Sequence, residues 1–587
     1  MQSVAAQLDG RFRQAIRSAL GLDADPLVAP SQNERFGDYQ ANAAMGLARE
    51  VAGRTGQKVS PRAIADQIKA RLELGDMASE VSIAGPGFIN VRLSPAWLSR
   101  QIAALAGDKR LGIDPKAAPH RVVVDYSGPN IAKDMHVGHL RSTIIGDCLA
   151  RVLEFEGDSV IRQNHVGDWG LQMGMVTYAL ERHGGGSLSL ADLERLYKEI
   201  SKDSEDPAVR RQMAQRTREL QQTPREQLAG WKQVRDLTLK NAHDLYARLN
   251  VKLSEGDVRG ESFYSDRYAA MVEQLKREGK AVETEGAVGI FVPGFSNKEG
   301  QPRPFIIQSR DGTYQYPTFD LAALTFRVRE LGAQRIIYTH DSRQAEHFAM
   351  LFAVAKVLGL DRTDGPDVRM EYAPFGTMLG EDGKPYKTRS GENVKLSALI
   401  DEAEQRAMRI VTQKNADLPE DQRRAIAHAV GVGAIKYADL SKERISDYVF
   451  SWDQMLAMDG NTAPYLQYAY ARIRSIFRKA AERSGPGLAN SAHDDSVDLR
   501  QPHEIALAKH ILRLAEIVAL VSRELKPHHL CGYLYDLATK FSGFYENCPV
   551  LQSDEPVRTS RLLLCDVTAR TLALGLDLLG IEHPEQM

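Results

Sequence analysis

Cysteine, long apolar stretches and net charge are all scarce in this sequence. The 587 residues include four cysteines, and no two of them stand at the spacing of a zinc site or a redox pair. No apolar run approaches the roughly 18 residues of a membrane span, and residues 1–7 lack the basic and apolar regions of a signal peptide. These absences predict a cytoplasmic protein with free thiols and no membrane partner. A formal charge of −2 gives no overall sign of nucleic-acid binding, so an RNA partner would need local basic patches.

The remaining composition is that of a globular protein with several domains. Hydrophobic residues make up 43% and charged residues 26% of the chain, which is ordinary for globular domains. A chain of this length predicts about three to five domains. Residues 1–112 have the pattern of an α+β unit, with helices at 4–20 and 61–72 and a strand-like stretch at 81–93. After residue 395 the pattern is helical almost to the end, with breaks at 415–421 and 484–498.

Strand and helix patterns alternate from residue 121 onward and predict an α/β fold. Apolar, β-branched stretches occupy residues 121–126, 159–164, 305–308, 335–339 and 368–374. This alternation favours a Rossmann-like parallel sheet with right-handed crossovers. It stops between about residues 177 and 256, where a long charged stretch at 192–246 predicts an inserted helical subdomain with a solvated face.

One strand–turn–helix segment carries more chemical information than any other part of the chain. The apolar run 122–124 predicts a strand buried on both faces, and the Gly-Pro-Asn turn at 128–130 ends it. A helix with apolar residues at helical spacing then opens on His136 and His139, which bracket Gly138. Because a helix N-terminus presents free N–H groups and a positive dipole end, this segment predicts a site for a nucleotide phosphate.

Two plainer interpretations of the histidine pair remain open on the pattern alone. His-x-x-His is a common spacing for unrelated surface or core histidines. Two histidines on one helical face can also bind zinc. The metalloprotease pattern His-Glu-x-x-His is absent, however, and the cysteines offer no further ligands. We therefore expect no protein-bound metal site here.

The segment belongs to a set of motifs that resembles the class I aminoacyl-tRNA synthetases and, within them, the arginyl-tRNA synthetases. The motifs are Asp125 to Ile145, Asn164-His-Val-Gly-Asp-Trp-Gly170, Gly37-Asp-Tyr-Gln40, Asp382-Gly-Lys-Pro-Tyr-Lys-Thr-Arg-Ser-Gly391 and the ending Leu579 to Met587. The resemblance covers nearly the full length. It implies that His136, Gly138 and His139 bind ATP and that both histidines are catalytic, stabilising charge as a carboxylate attacks the α-phosphorus. Mg²⁺ is expected to accompany the ATP.

The second signature of the family is degenerate in this chain. The loop Lys387-Thr-Arg-Ser-Gly391 has Ser390 where most class I synthetases have a second lysine. The resemblance assigns Lys387 to ATP binding and catalysis. It also implies that Lys133, just before the first signature, compensates for the missing lysine, and Arg389 is a further candidate for that catalytic charge.

The expected amino-acid substrate is L-arginine. A guanidinium is planar, permanently charged and carries five donors, so its pocket requires carboxylates. Tyr316 and Asp320 are four residues apart at a helix start that Pro317 favours, and they lie near one face. The resemblance places the arginine side chain against these two residues. It places Asp125, Asn130 and Gln344 around the amino, carboxylate and guanidinium groups. Gly128 stands where the family has a serine, which removes one expected hydroxyl.

The tRNA contacts follow from the resemblance together with the aromatic side chains. Tyr468, Tyr545 and Met587 match positions that meet the anticodon loop in relatives, and Phe88 and Asn90 match residues that read a base of the D-loop. Aromatic rings give stacking platforms for unstacked bases. Each of these residues could equally belong to a core.

Together these features predict an arginine–tRNA ligase that works as a monomer. It would form arginyl-adenylate from L-arginine and ATP and transfer the arginyl group to the 3′-terminal ribose of tRNA(Arg). The resemblance implies that tRNA must usually bind before arginine is activated. The expected parts are an N-terminal tRNA-binding domain (1–112), a catalytic domain (113–380, with an insertion at about 177–300), the signature loop and linking helices (381–455) and an all-α anticodon-binding domain (456–587). A small-molecule adenylating enzyme and a non-catalytic RNA-binding relative remain the alternatives.

Overall fold

The protein is described by a computed structural model that covers residues 2–183, 189–203, 205–363, 367–387, 394–484 and 497–587. Its N-terminal region is an α+β unit. The elements are α1 (Val4–Leu20), β1 (Val28–Pro30), β2 (Tyr39–Ala41), α2 (Ala44–Thr55), α3 (Pro61–Arg71), β3 (Ala78–Ala84), β4 (Phe88–Leu93) and α4 (Pro95–Gly107). The four strands form an antiparallel sheet in the order β1-β2-β4-β3. The predicted helices and the 81–93 strand region are confirmed, whereas β1, β2 and α4 were not predicted.

The central region contains the expected alternation and the insertion. In chain order its elements are β5 (Arg121–Asp125), α5 (Val137–Phe155), β6 (Ser159–Gln163), α6 (Leu171–His183), α7 (Leu190–Asp203), α8 (Pro207–Gln222), α9 (Ala229–Arg248), α10 (Tyr268–Arg277), β7 (Val282–Thr284), β8 (Ala287–Ser296), β9 (Pro302–Gln308), α11 (Tyr316–Arg329), β10 (Arg335–Tyr338), α12 (Ala345–Val357), β11 (Arg369–Tyr372) and β12 (Met378–Leu379).

Four of these strands form the predicted parallel sheet, in the order β11-β10-β5-β6. Its central strand β5 is buried on both faces, and Val122, Val123 and Val124 have no exposed surface. Helices on both sides account for this burial, as in doubly wound folds. Because the strands are parallel, their carboxyl ends meet at one edge, where ligands bind in such sheets.

The prediction that residues 305–308 join the parallel sheet is wrong. They end β9, which pairs antiparallel with β8, and β8 pairs antiparallel with β7 in a separate three-stranded sheet. A tight turn explains the pairing, since the Asn297 N–H donates to the Gln301 carbonyl at 2.8 Å and brings β8 and β9 together as neighbours. A short apolar run does not reveal which strand it pairs with.

The insertion is also more divided than the sequence indicated. The helical stretch expected at 192–246 consists of α7, α8 and α9. Pro207 begins α8, and Pro224 stands between α8 and α9, because proline favours the first turn of a helix and breaks its interior. The helical and connective insertion expected at about 177–300 also includes β7 and β8.

The C-terminal region is almost entirely helical, as predicted. Its elements are α13 (Leu396–Lys414), α14 (Glu420–Leu440), β13 (Tyr448–Val449), α15 (Trp452–Met455), α16 (Ala463–Ser484), α17 (Pro502–Ile511), α18 (Leu514–Glu524), α19 (His528–Asn547) and α20 (Val557–Leu578). The predicted break at 415–421 falls between α13 and α14, and most of the one at 484–498 lies outside the described residues. Among the described residues, no helix has the length and hydropathy needed to cross a bilayer.

Buried polar contacts join the three regions. The Lys436 ammonium on α14 has no exposed surface and donates to the carbonyls of Leu249 (2.7 Å) and Gly580 (2.6 Å). In the N-terminal unit, the backbone N–H of Ala5 and the hydroxyl of Tyr39 both donate to Glu516 on α18, at 2.9 and 2.8 Å. Because unpaired buried polar groups are costly, these contacts fix how the regions pack.

Candidate active site

Two histidines hold the N-terminus of α5 together. His136 is the N-cap, and its Nδ1 accepts a hydrogen bond from the Gly138 backbone N–H at 3.0 Å. The Nδ1 of His139 accepts from the His136 backbone N–H at 3.1 Å, so the two rings form a reciprocal capping box. The ring centroids are 4.1 Å apart. The helix start that the sequence predicted is therefore built from the same side chains that were predicted to bind phosphate.

Both imidazoles are neutral donors at neutral pH. Burial, with the nearby charge of Lys133, lowers the pKa of His136. Burial, with the charges of His136 and Lys133, lowers the pKa of His139 to about 3. Since each Nδ1 accepts a hydrogen bond, each neutral ring carries its proton on Nε2. The helix start therefore offers two imidazole N–H donors for an anion without a charge on either ring.

Only glycine fits at position 138, because the His136 ring packs against the backbone there. A Cβ at this position would stand 2.7 Å from the His136 Cε1 atom, so any side chain would displace the ring. The sequence suggested that the glycine admits a nucleotide to the backbone, and the exposed position of Gly138 is compatible with that. Glycine stands at position 128 for a different reason: its backbone φ of 55° lies in the left-handed region that favours glycine.

Three cations were predicted to assist the leaving pyrophosphate, and the structure describes two of them. The Lys133 Nζ lies 4.2 Å from the centre of the Tyr197 ring, which belongs to α7 of the insertion. Lys387 is exposed at the start of the second signature loop. Arg389 lies outside the described residues. Backbone bonds from Val137 to Val394 (3.0 Å) and from Leu396 to Met135 (2.9 Å) attach the far end of this loop to the first signature.

A buried carboxylate ends the central strand. Asp125 is the last residue of β5, and its Oδ2 accepts from the Arg327 guanidinium of α11 at 2.8 Å. Its Oδ1 is buried and has no hydrogen-bond partner among the described residues, and the His340 Nε2 is 3.9 Å away. Burial alone would raise the pKa of Asp125, but the charges of Arg327 and His340 hold it well below its usual value. An ionised oxygen is therefore available to a ligand ammonium.

A second ionised carboxylate lies in the first turns of α11. The Asp320 Oδ2 lies 2.6 Å from the His347 Nε2, and its Oδ1 lies 3.6 Å from the His165 Nε2. Burial opposes ionisation of Asp320, but the hydrogen bond from His347 and the neighbouring histidines outweigh it and lower its pKa. The Tyr316 ring, 58% exposed, packs edge-on against the His347 ring at 4.8 Å between centroids. Tyr316 and Asp320 therefore both contact His347, and their role in binding arginine stays a prediction.

The other two residues predicted to bind arginine, Asn130 and Gln344, lie on segments next to the carboxyl edge of the sheet. Asn130 follows the turn after β5 and pairs as a bridge with Gly167, beyond the end of β6. Gln344 caps the start of α12, three residues before His347, and its side chain is exposed. Both belong to segments that leave the carboxyl edge of the sheet.

Sequence reasoning missed the histidines that complete the pocket. His165 and His340 follow the carboxyl ends of β6 and β10, and His347 lies in the first turn of α12. The signal was available in part, because polar residues just after successive parallel strands converge at one edge. A further carboxyl group, Glu261, lies near Asp168. Desolvation of Glu261 and the negative charge of Asp168 raise the pKa of Glu261 to about 8.

The residues predicted to contact tRNA lie in other regions. Tyr468 and Tyr545 are 38% and 37% exposed, and the Arg472 guanidinium lies 5.5 and 5.1 Å from their ring centres. Met587 packs partly buried against the helical core. Phe88 is half-buried on β4, and the buried Asn90 accepts from the Gln40 side chain at 2.7 Å.

Comparison with protein families assigns each region of the chain a match. The model described as the class I (R) tRNA synthetase catalytic domain matches residues 101–452. The arginyl tRNA synthetase N-terminal domain matches residues 6–93, and the DALR anticodon-binding domain matches residues 466–587.

Similar proteins match over the full length. An arginine–tRNA ligase of Saccharophagus degradans is 49% identical over 589 residues, covering 99% of each chain. One of Escherichia coli is 46% identical over 596 residues, covering 100% of each chain. Among solved structures, the arginyl-tRNA synthetases of Plasmodium falciparum (30% identity, TM-score 0.83) and Thermus thermophilus (26% identity, TM-score 0.79) each match over 100% of both chains.

Proposed function

This chain belongs to the class I arginyl-tRNA synthetases and is an arginine–tRNA ligase, and we propose that the carboxyl edge of its parallel sheet carries out the activation of L-arginine by ATP. One observation supports this site: the same edge carries two neutral imidazole donors at the start of α5 and two ionised carboxylates, Asp125 and Asp320. An anion binds at the first group and a cation at the second. The family assignment removes the two alternatives considered from the sequence.

In the activation step, a carboxylate oxygen of arginine attacks the α-phosphorus of ATP, the bond to the bridging oxygen breaks, and pyrophosphate leaves with the electron pair. No proton transfer is needed, so the protein contributes positioning and charge stabilisation. We assign the Nε2–H donors of His136 and His139 to the phosphate oxygens. Lys133 and Lys387 supply positive charge for the leaving pyrophosphate.

Arginine would lie with its ammonium at the free Oδ1 of Asp125 and its guanidinium at Asp320. The His347 Nε2 lies 2.6 Å from the Asp320 Oδ2. A guanidinium offers paired donors to a carboxylate, so it would take over this contact. Tyr316 would cover the guanidinium plane. Asn130 and Gln344, from the margins of the pocket, would contact the remaining polar atoms.

Mg²⁺ would arrive with ATP rather than in a protein cage. In the part of the chain that the structure describes, no group of three His, Cys, Asp or Glu side chains is arranged to hold a metal. Magnesium commonly binds through substrate phosphates and keeps several waters. It would neutralise phosphate charge there.

Transfer to tRNA(Arg) would take place at this edge, whereas binding of the rest of the tRNA would use surfaces outside it. The acceptor is the 3′-terminal ribose, whose hydroxyl attacks the acyl carbon of the adenylate and displaces AMP. We propose Tyr468 and Tyr545, together with Met587, for the anticodon loop and Phe88 with Asn90 for the D-loop. The four-part division at residues 112, 380 and 455, the monomeric state and a cytoplasmic location complete the proposal, and the four buried free cysteines fit a reducing compartment.

Arginine-dependent pyrophosphate exchange in the presence of tRNA tests the site directly. His139→Ala should lower the exchange rate by about 10²–10³-fold, since it removes one donor to the transition state. Binding of tRNA, measured by filter retention, should stay unchanged. An unchanged exchange rate would remove the catalytic role of His139.

A second comparison decides which cation replaces the missing lysine of the second signature. Lys133→Ala and Arg389→Ala should be measured side by side for kcat and for the KM of ATP. We expect the larger loss for Lys133→Ala, because its charge already acts on both imidazoles. A larger loss for Arg389→Ala would transfer that role to the loop.

A further inference from the structure

Helix α7 of the insertion lies against the turn that opens the first signature. The Glu194 Oε1 accepts from the Asp134 backbone N–H at 3.0 Å. Tyr197, three residues along the same helix, places its ring 4.2 Å from the Lys133 Nζ. Residues three apart share a helix face, so one face of α7 contacts both Lys133 and Asp134. The helix packs into the insertion through Leu193, Leu196 and Ile200, and the partly buried Tyr197 also contacts these clusters.

The same face also holds the far end of the second signature loop. The Lys395 Nζ donates to the Glu194 Oε2 at 3.0 Å and forms an ion pair with Asp134. Asn241 of α9 donates to the other Asp134 oxygen at 3.0 Å. Burial works against the charge of Lys395, but the hydrogen bonds from Lys395 to the two acids outweigh it and raise its pKa. Three chain segments therefore meet in one ionic cluster at the nucleotide end of the site.

The position of Lys133 depends on this contact with α7. Lysine is a flexible point charge with four rotatable carbons, and a cation over an aromatic ring is held by the ring's negative face. The ammonium rests on Tyr197 and still lies close enough to lower the pKa of both histidines, after the larger effect of burial. The Lys133 ammonium is therefore held beside the imidazole donors of His136 and His139 and does not extend into solvent.

We propose, on the basis of the phosphate role assigned to Lys133 above, that α7 is part of the activation machinery. Tyr197 is a positioning residue that holds the Lys133 ammonium beside His136 and His139. Glu194 is a positioning residue that fixes the end of the second signature loop through Lys395. The charged insertion, expected from the sequence to present a solvated face, thus has one face committed to the nucleotide end of the site.

The test compares two substitutions of the same ring. Tyr197→Phe keeps the aromatic face and should leave exchange within about twofold of the unaltered enzyme, whereas Tyr197→Leu keeps an apolar side chain without the face and should lower kcat/KM for ATP by about tenfold. The KM for arginine and the thermal unfolding midpoint should not change. A general packing defect would alter both, so they serve as controls. Glu194→Gln should raise the KM for ATP by about threefold.

A double variant shows whether Tyr197 acts through Lys133. Tyr197→Leu combined with Lys133→Ala should be no worse than Lys133→Ala alone, because the two losses share one interaction. Additive losses, equal losses in Tyr197→Phe and Tyr197→Leu, or faster exchange in Tyr197→Leu would each overturn the positioning role. If Lys133→Ala leaves exchange unchanged, the phosphate role of Lys133 is wrong and the role of Tyr197 falls with it. If Lys133→Ala impairs exchange and Tyr197→Leu does not, the role of Tyr197 alone is overturned.

Discussion

The two ends of the proposed active site would bind opposite charges, and they use ionisable groups in opposite ways. At the nucleotide end, the side chains that face an anion are His136 and His139, which burial keeps neutral. At the amino-acid end, the groups that face a cation are Asp125 and Asp320, which Arg327 and the surrounding histidines keep ionised. In both places the pKa is lowered, but the first shift removes a charge and the second preserves one.

The difference follows from where each end obtains its electrostatic field. The start of α5 supplies the positive end of the helix dipole, while the backbone N–H groups of Val137 and Gly138 are engaged by Val394 and by the His136 ring. Neutral imidazole donors at this positive helix end therefore suffice for an anion. An ammonium and a guanidinium each carry a full positive charge, and the side chains at the other end offer them full carboxylate charges. A buried carboxylate in turn needs a permanently charged partner such as Arg327. The neutral histidine rings need no such partner.

The largest expected effect comes from removing the charge at the guanidinium site. Asp320→Asn keeps the shape of the side chain but leaves the substrate's donors with a neutral acceptor, so kcat/KM for arginine should fall by at least about 10³-fold. The KM for ATP should stay within about twofold, since the nucleotide end is untouched. Glu346→Gln is the control, because this exposed acid nearby pairs with Arg303 outside the pocket. An equal loss in both variants would mean that general negative potential, rather than Asp320, selects arginine.

Removal of the partner of Asp125 tests whether the amino-acid end depends on a buried cation. Arg327→Met leaves Asp125 buried and unpaired, which should lower the free energy of unfolding by about 3–5 kcal/mol. Denaturant titration measures this change. Arg329→Met, an exposed position on the same helix, should change it by less than about 0.5 kcal/mol. A loss of similar size in the two variants would show that the Asp125–Arg327 pair is not the source of the difference between the ends.

Substitutions in the helical region should leave both ends intact and change tRNA binding alone. Tyr468→Ala and Tyr545→Ala should each weaken tRNA binding by about 1–3 kcal/mol if the rings stack on bases. Because Arg472 lies over both rings, the double variant should lose less than the sum of the two losses. Tyr468→Phe retains the ring and serves as the matched control. A change in the arginine KM measured with saturating tRNA would contradict the separation of this surface from the active site.

The sequence predicts one end of the site far better than the other. His136, Gly138 and His139 lie within four consecutive positions, so the pattern that forms the helix start also places the chemistry. The amino-acid end is assembled from the ends of three strands and two helices. Tyr316 and Asp320 were accessible because they share a helix face. His165, His340 and His347 were missed, because their approach to the two acids depends on strand order.

Strand order is also where the fold prediction failed. The run at 305–308 has the composition of a buried parallel strand, and only the turn at 297–301 commits it to a hairpin. The local residue pattern predicts that a segment forms a strand, but packing against distant parts of the chain decides which strand it pairs with. The same limit applies to the insertion, since its charged helices were visible in the sequence but the contact of Tyr197 with Lys133 spans 64 positions of the chain.

The smallest expected effect is a difference in pH dependence between the two ends. His139 has a pKa of about 3 in the folded protein and about 6.5 when unfolded. Between these values the unfolded chain binds the extra proton, so the contribution of His139 to the free energy of unfolding falls as the pH drops below about 6.5, by at most about 1.4 kcal/mol per pH unit.

The acids have a linkage of the same sign as His139, but in a lower pH window. The pKa of Asp125 and of Asp320 is lowered in the folded protein, so their contribution is fully present above the unfolded value of about 3.9 and is lost only below it. Between pH 6.5 and 5, acidification should therefore destabilise the unaltered enzyme more than His139→Asn, while Asp320→Asn should follow the unaltered enzyme. Denaturant titrations at pH 7, 6 and 5 measure these slopes. Parallel slopes for the unaltered enzyme and His139→Asn would show that His139 is not held neutral by burial, and the contrast between the two ends would then rest on the acids alone.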